Sequence, residues 1–213
     1  MIAQHKIQGL YAISDPDLIP DNELLYCIEQ AILGGIRVLQ YRNKSASKDT
    51  QYQQAHELST LCKRYQVCFI INDDPHLAYS VQADGVHVGK DDGKIADARQ
   101  ILGDQSIIGV SCYNSLENAH NAIAQGADYI AFGRFFPSKT KPNALQADLS
   151  LLKQARTQLQ KPIVAIGGIN RDNAPQLIQC GANSIAVIND LFHDKEQIYH
   201  TAKTYQHFFD SIY

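Results

Sequence analysis

Residues 106–133 read SIIGVSCYNSLENAHNAIAQGADYIAFG, and their reading decides the fold. The two ends, SIIGVS (106–111) and DYIAFG (128–133), are short apolar runs of the kind that form buried strands. Between them, SLENAHNAIAQGA (115–127) spaces its apolar residues at helical period and stops at a glycine suited to a left-handed C-cap. Two strands joined by one helix make a βαβ unit, and strands joined that way lie parallel.

The same unit recurs along the chain. Strand candidates GLYAIS (9–14), IRVLQY (36–41), VCFIIN (67–72), DGVHVG (84–89), PIVAIGG (162–168) and SIAVIN (184–189) join the two above. Helical spacing covers 22–35, 50–66, 74–82, 94–103, 149–160 and 171–182, and the tail 190–213 supplies an eighth helix. Strict βα alternation, eight times over in 213 residues, predicts an α/β chain folded as one TIM (β/α)8 barrel domain over 1–213, because closure leaves no unpaired edge strand. The rival is an open Rossmann or flavodoxin-like sheet, and no G-x-G-x-x-G follows the first strand.

Hydrophobic residues make up 45% of the chain and the formal net charge is -3, which argues against a general electrostatic grip on nucleic acid or acidic membrane. Any anion must therefore be met by a local pocket. The five cysteines, Cys27, Cys62, Cys68, Cys112 and Cys180, are scattered and lack C-x-x-C pairs, so they read as small buried residues in a reducing compartment. The start MIAQHKIQGLYAIS has no leader pattern, and no run approaches the roughly 18 apolar residues of a membrane span. The expectation is a soluble, cytoplasmic protein acting on small phosphorylated molecules, with no nucleic acid and no membrane partner. Oligomeric state, homo-oligomer included, is not legible in the sequence.

In such a barrel, reactive groups gather where strands end. Strand 2 ends in Gln40, Arg42 and Lys44, spaced by two so that an extended chain projects them from one side. Strand 3 ends in INDD (71–74), bringing Asn72 and Asp73 to the mouth, and strand 4 runs into Asp92 of GVHVGKDD. Two carboxylates from adjacent loops suit Mg2+ when substrate phosphates complete its shell, while helix capping before Pro75 and near Lys94 accounts for the same residues without a metal. Strand 5 ends at Ser111. Strand 6 delivers AFGRFFPSKTKP (131–142), where Ser138, Thr140 and Lys141 can satisfy several phosphate oxygens, or simply form a solvated loop. Gly167 and Gly168 follow strand 7 and Ile188 and Asn189 end strand 8, the two places where barrels often hold phosphate on backbone N–H groups. His87 shares a strand face with Gly85 and Gly89 and reads as a hydrogen-bonded structural histidine rather than a proton carrier. Two anion pockets on one rim, one with a carboxylate pair, suggest the joining of two phosphorylated substrates.

Seven motifs in register, QYRNK, INDD, GVHVGKDDG, IIGVSC, FGRFFPSKTKP, VAIGGI and AVIN, resemble the thiamine phosphate synthase (thiamine-phosphate pyrophosphorylase) family over essentially the whole chain. The resemblance implies a Mg2+-dependent transferase of thiamine biosynthesis. It would condense 4-amino-5-hydroxymethyl-2-methylpyrimidine diphosphate with 4-methyl-5-hydroxyethylthiazole phosphate, or its carboxylated form, to thiamine phosphate and pyrophosphate. It further implies that Gln40, Arg42, Lys44, Asn72, Ser111 and Lys141 hold the pyrimidine diphosphate, with Arg42, Lys44 and Lys141 in the catalytic role. Asp73 and Asp92 would bind the metal, and Ser138, Thr140, Gly168, Ile188 and Asn189 the thiazole phosphate. The chain departs from the usual family pattern at Lys90, where glutamine is usual, at Ser138, where threonine is usual, and at Asn189, where serine is usual. The alternatives are a thiazole tautomerase of the same superfamily, a Schiff-base aldolase using Lys44 or Lys141, and a non-catalytic thiamine phosphate sensor.

Overall fold

The computed structural model describes residues 5–89, 95–137 and 146–211. Strands β1 (Gly9–Ile13), β2 (Val38–Tyr41), β3 (Cys68–Asn72), β4 (Gly85–Val88), β5 (Ile107–Tyr113), β6 (Tyr129–Phe132), β7 (Ile163–Ile166) and β8 (Ser184–Val187) pair in chain order and close into a parallel barrel. Seven strands fall within the runs that the sequence predicts for them, β5 continues two residues past its predicted end at Ser111, and the chain is the TIM barrel expected. The closing ladder sets Gly9 against Ser184 and Ala12 against Val187. Ser184 Oγ donates to the Gly9 carbonyl at 2.8 Å and fixes that register from inside.

Helices α1 (Leu24–Gly34), α2 (Lys48–Tyr65), α3 (Pro75–Ser80), α4 (Ile95–Leu102), α5 (Leu116–Ala124), α6 (Leu149–Gln158) and α7 (Ala174–Gln179) return the chain between strands. Their starts are chemically marked: Ser47, Asp74, Ser115 and Asp148 each accept a first-turn backbone N–H. The tail, expected as one helix, is instead split into α8 (Asn189–Phe192) and α9 (Ile198–Asp210). Asp194 makes the break, accepting the Glu196 and Gln197 amides on its side chain and its carbonyl respectively, which turns the chain between the two.

Strand alternation sorts the apolar residues into two cores. Tyr11, Val38, Cys68, Ile70, Ile107, Tyr129, Ala131, Val164 and Ala186 point into the barrel and pack on one another. Their strand neighbours, such as Leu10, Leu39, Phe69, Ile71, Val86, Ile108, Ile130 and Ile185, belong to the layer between strands and helices. The four cysteines Cys27, Cys62, Cys68 and Cys112 are buried and unbridged, and burial pushes the Cys62 and Cys112 thiols up to about 12, so they pack as small apolar groups.

A repeated clamp secures the barrel floor. The residue just before β4, β6 and β8 is Asp84, Asp128 or Asn183, and each holds one residue of the preceding strand by two bonds. Phe69, Ile108 and Ile163 each donate their N–H to that side chain, at 2.8, 2.9 and 2.9 Å. In return each accepts the clamp residue's own backbone N–H. A strand-end amide with no ladder partner is thereby satisfied where water has little access. Arg99 of α4 joins the second clamp, its Nη2 lying 2.6 Å from Asp128 Oδ2.

Replacing Asp128 by Ala leaves the buried Ile108 N–H and the Arg99 guanidinium without this acceptor, an expected loss of about 2–3 kcal/mol in urea unfolding. Lys161, whose Nζ lies 3.9 Å from the other Asp128 oxygen, should tolerate Ala within about 0.5 kcal/mol. Equal losses for the two variants would mean that charge, not the amide clamp, is what Asp128 supplies.

Candidate active site

A cavity of about 830 Å3 opens at the carboxyl ends of the strands. Gln40, Arg42, Asn72 and Ser111 line it from the ends of β2, β3 and β5, and Gly168, Ile188 and Asn189 line it from the loops after β7 and β8. Seven of the residues expected at the site are therefore brought to one cavity, in two arcs that face each other across the mouth. Asp92, Ser138, Thr140 and Lys141 lie outside the described residues, as does Lys90.

Gln40 is carried inward by the ladder and is only 4% exposed. Arg42 follows one residue beyond the end of β2 and is held by Ser14 at the end of β1. The Arg42 N–H donates to Ser14 Oγ at 2.9 Å, and the Ser14 N–H donates to the Gln40 carbonyl at 3.0 Å. This stitch extends the β1–β2 pairing past its last ladder bond and sets Arg42 at the cavity wall. Lys44 departs from the expected common face. β2 ends at Tyr41, so the two-residue period no longer governs it, and its Nζ instead sits 2.7 Å from Asp73 Oδ2 with more than half the side chain exposed.

The Asp73–Asp74 doublet divides its labour. Asp74 is the helix cap of α3, accepting the Leu77 N–H at 2.9 Å, and Lys48 Nζ lies 2.9 Å from its other oxygen. Burial alone would raise the Asp74 carboxyl, but the Lys48 bond and the Leu77 amide outweigh it and hold it below the ordinary value. Asp73 adopts a left-handed φ of 65°, a conformation acidic residues tolerate, while its N–H bonds the His87 carbonyl at 2.8 Å. Its side chain lies between Lys44 and Asn72, whose Nδ2 donates to Oδ2 at 2.6 Å, and neither Asp73 nor Lys44 is among the residues that line the cavity. Both of these contacts fall on Oδ2. A hard carboxylate oxygen beside the cavity-lining Asn72 fits Mg2+, which is commonly held by one or two carboxylates and completed by substrate phosphates. Among the described residues, no cluster of three or more His, Cys, Asp or Glu gathers to form an all-protein metal cage.

On the opposite arc, Gly168 has φ of 65°, and a Cβ there would meet the Pro137 carbonyl at 2.3 Å and the Phe136 carbonyl at 2.7 Å. Glycine is needed for both reasons, and it lets the loop after β7 close against the chain leaving β6. Asp190, beside Asn189, would repel a phosphate if its charge faced the cavity uncompensated. Tyr205 Oη donates to its Oδ2 at 2.8 Å and Arg171 Nε lies 3.2 Å from the same atom.

Some of the lining was not anticipated from sequence. Tyr11, Tyr129 and Arg134 border the cavity together with Asp15 and Asn170. Burial pushes the Tyr11 and Tyr129 phenols well up, so both are neutral donors. The signal was available: both tyrosines fall on the inward face of their strands, and Arg134 lies just two residues past the end of β6.

A model of the family "Thiamine monophosphate synthase" matches residues 10–191. Thiamine-phosphate synthase of Alcanivorax borkumensis is 54% identical over 188 residues, 88% of this chain and 87% of its own. The enzyme of the same name from Nitrosococcus oceani is 48% identical over 202 residues, 95% of this chain and 93% of its own. Among solved structures, thiamine phosphate pyrophosphorylase from Pyrococcus furiosus superposes with a TM-score of 0.87 at 33% identity, covering 98% of each chain.

The Asp74→Ala variant should lose about 1 kcal/mol of stability, read by thermal or urea unfolding, whereas Asp73→Asn should change it little. Because the folded carboxyl of Asp74 is depressed, its contribution is full above the unfolded value near ~3.9 and fades as pH falls through the lower folded value. The stability gap between wild type and Asp74→Ala should accordingly narrow in that acid window, and a gap constant with pH would contradict the ionic cap.

Proposed function

The chain belongs to the thiamine monophosphate synthase family and is a transferase of thiamine biosynthesis, and from that premise we propose how its rim residues divide the work. One arc takes the pyrimidine diphosphate and the other the thiazole phosphate, so that the C–O bond to pyrophosphate and the new C–N bond lie between them. The observation that carries this reading is the facing placement of Gln40, Arg42, Asn72 and Ser111 against Gly168, Ile188 and Asn189 around one cavity of about 830 Å3, a volume that accommodates two small substrates.

Gln40, Asn72 and Ser111 bind and orient the pyrimidine diphosphate. As the C–O bond breaks, negative charge grows on the departing diphosphate and positive charge on the pyrimidinylmethyl carbon. Arg42 at the cavity wall, Lys44 beside Asp73 and Lys141 meet that growing anion, so they stabilise the transition state more than the ground state. The thiazole nitrogen then donates its lone pair to the carbon, forming the C–N bond. Gly168 and the backbone of Ile188 and Asn189, with Ser138 and Thr140, hold the thiazole phosphate so that this nitrogen approaches along the open face. No proton is transferred at either reacting atom, which accounts for a site built of cations and amides rather than an acid–base pair.

Asp73 and Asp92 would hold Mg2+, which when bound neutralises diphosphate charge as a Lewis acid. A cytoplasmic setting fits an enzyme that takes small phosphorylated precursors. Among the described residues no helix is long and apolar enough to cross a membrane.

Thiamine phosphate formation should fall about a hundredfold or more in Arg42→Ala and in Lys141→Ala, while Lys139→Ala stays near wild type. Asp73→Asn should raise the Mg2+ concentration needed for half-maximal rate. Equal effects of the two lysine variants, or an unaltered Mg2+ requirement, would remove the corresponding assignment.

A further inference from the structure

A chain of hydrogen bonds crosses the barrel interior and joins two of the substrate-facing side chains. Gln40 Nε2 donates to Tyr11 Oη at 2.8 Å, and Tyr11 Oη lies 2.9 Å from Tyr129 Oη. Tyr129 Oη lies 2.9 Å from His87 Nδ1, and His87 Nε2 lies 2.9 Å from Ser111 Oγ. The links come from β2, β1, β6, β4 and β5, so the chain spans the barrel rather than following one strand. Gly109 makes the crossing feasible, since a Cβ there would lie 2.0 Å from the Tyr129 ring.

With Gln40 Nε2 as the donor to Tyr11, counting protons sets the direction of the chain. Each phenol has one proton to give. Tyr11 already accepts from the Gln40 amide, so its proton goes to Tyr129 and that of Tyr129 goes to His87 Nδ1. A ring nitrogen that accepts carries no proton, so the imidazole proton is on Nε2 and is donated to Ser111 Oγ. Two atoms are thereby set at the mouth. With Nε2 bonded to Tyr11, Oε1 is left as an acceptor, whereas a flipped amide would accept from Tyr11, reverse every link and put the imidazole proton on Nδ1. Ser111 Oγ accepts from below, so its own proton is turned outward as a donor.

We propose that Tyr11, Tyr129 and His87 are positioning residues, a one-way hydrogen-bond relay that presents Gln40 as an acceptor and Ser111 as a donor to the aminopyrimidine substrate. This rests on the reading above that Gln40 and Ser111 hold that substrate. The match is chemical: an aminopyrimidine offers an exocyclic N–H to an acceptor, and its ring nitrogens and diphosphate oxygens accept from a hydroxyl. The relay also explains a histidine inside a barrel whose reaction needs no proton carrier.

The test begins with the substrate-free protein, labelled with 15N-histidine, so that it is independent of whether coupling occurs. Of the eight histidines, His87 is the buried one and the other seven are exposed, which separates its signals. The relay predicts the neutral Nε2–H tautomer, and an Nδ1–H tautomer or a doubly protonated ring would overturn it. In Tyr129→Phe the tautomer preference should be lost. The KM for the pyrimidine diphosphate should rise about tenfold, with the KM for the thiazole phosphate unchanged. Tyr11→Phe should keep the Nε2–H form, because Tyr129 still donates to His87, yet raise the same KM. Equal shifts in both KM values, or none, would reduce the relay to packing. Should a variant fail to fold, the wild-type tautomer still decides the direction of the chain. Coupling activity with the wrong tautomer would sink the relay alone, and the right tautomer without coupling would sink only the substrate reading.

Discussion

The parallel ladder that sets Gly9–Ala12 against Ser184–Val187 joins the first strand to the last, and the character of the site depends on that closure. An open sheet would leave Tyr11 and Ala186 at two edges facing water. Closed, the same residues line a dry interior where a phenol is kept neutral and an amide can be held in one orientation. Closure also fixes the stagger of the strands, and the stagger decides which side chain at each strand end reaches the mouth. Arg42 and Ser111 come from strands far apart in sequence, yet share one cavity because every intervening register is set.

The fold was open to reading because two periods alternate so regularly. SIIGVS and DYIAFG have no helical spacing and SLENAHNAIAQGA has no strand alternation, so the boundary between elements is written in the change of period. The floor clamps were not read. Asp84, Asp128 and Asn183 look like ordinary loop polar residues, and only the neighbouring strand shows that each side chain answers a backbone N–H from far along the chain. The split of the tail was missed for a related reason, since helical period persists on both sides of Asp194 and the break is made by a local hydrogen-bond turn.

At the site, end-of-strand position was a good guide while the chain stayed in the ladder and a poor one beyond it. Gln40 and Arg42 reach the cavity as expected, whereas Lys44, three residues past β2, turns to Asp73. The two readings of INDD, cap and ligand, both had physical support in sequence. The structure gives the cap to Asp74 and leaves Asp73 bonded to Asn72 and Lys44, a distinction made by backbone φ that composition does not carry. Tyr11 and Tyr129 were passed over because an inward aromatic on a strand reads as core. Their hydroxyls matter only in combination, through contacts among four strands that no single segment reveals.

The most direct measurement is pyrophosphate release by the purified protein given the pyrimidine diphosphate, with and without the thiazole phosphate and with and without Mg2+. The account predicts that product-forming release needs both substrates and the metal, because the carbon left by C–O cleavage becomes product only when a thiazole nitrogen is held in the opposite arc to capture it. No release with both substrates and Mg2+ present, in a protein that still binds the thiazole phosphate, would contradict it and leave the cavity as a binding site without the coupling chemistry.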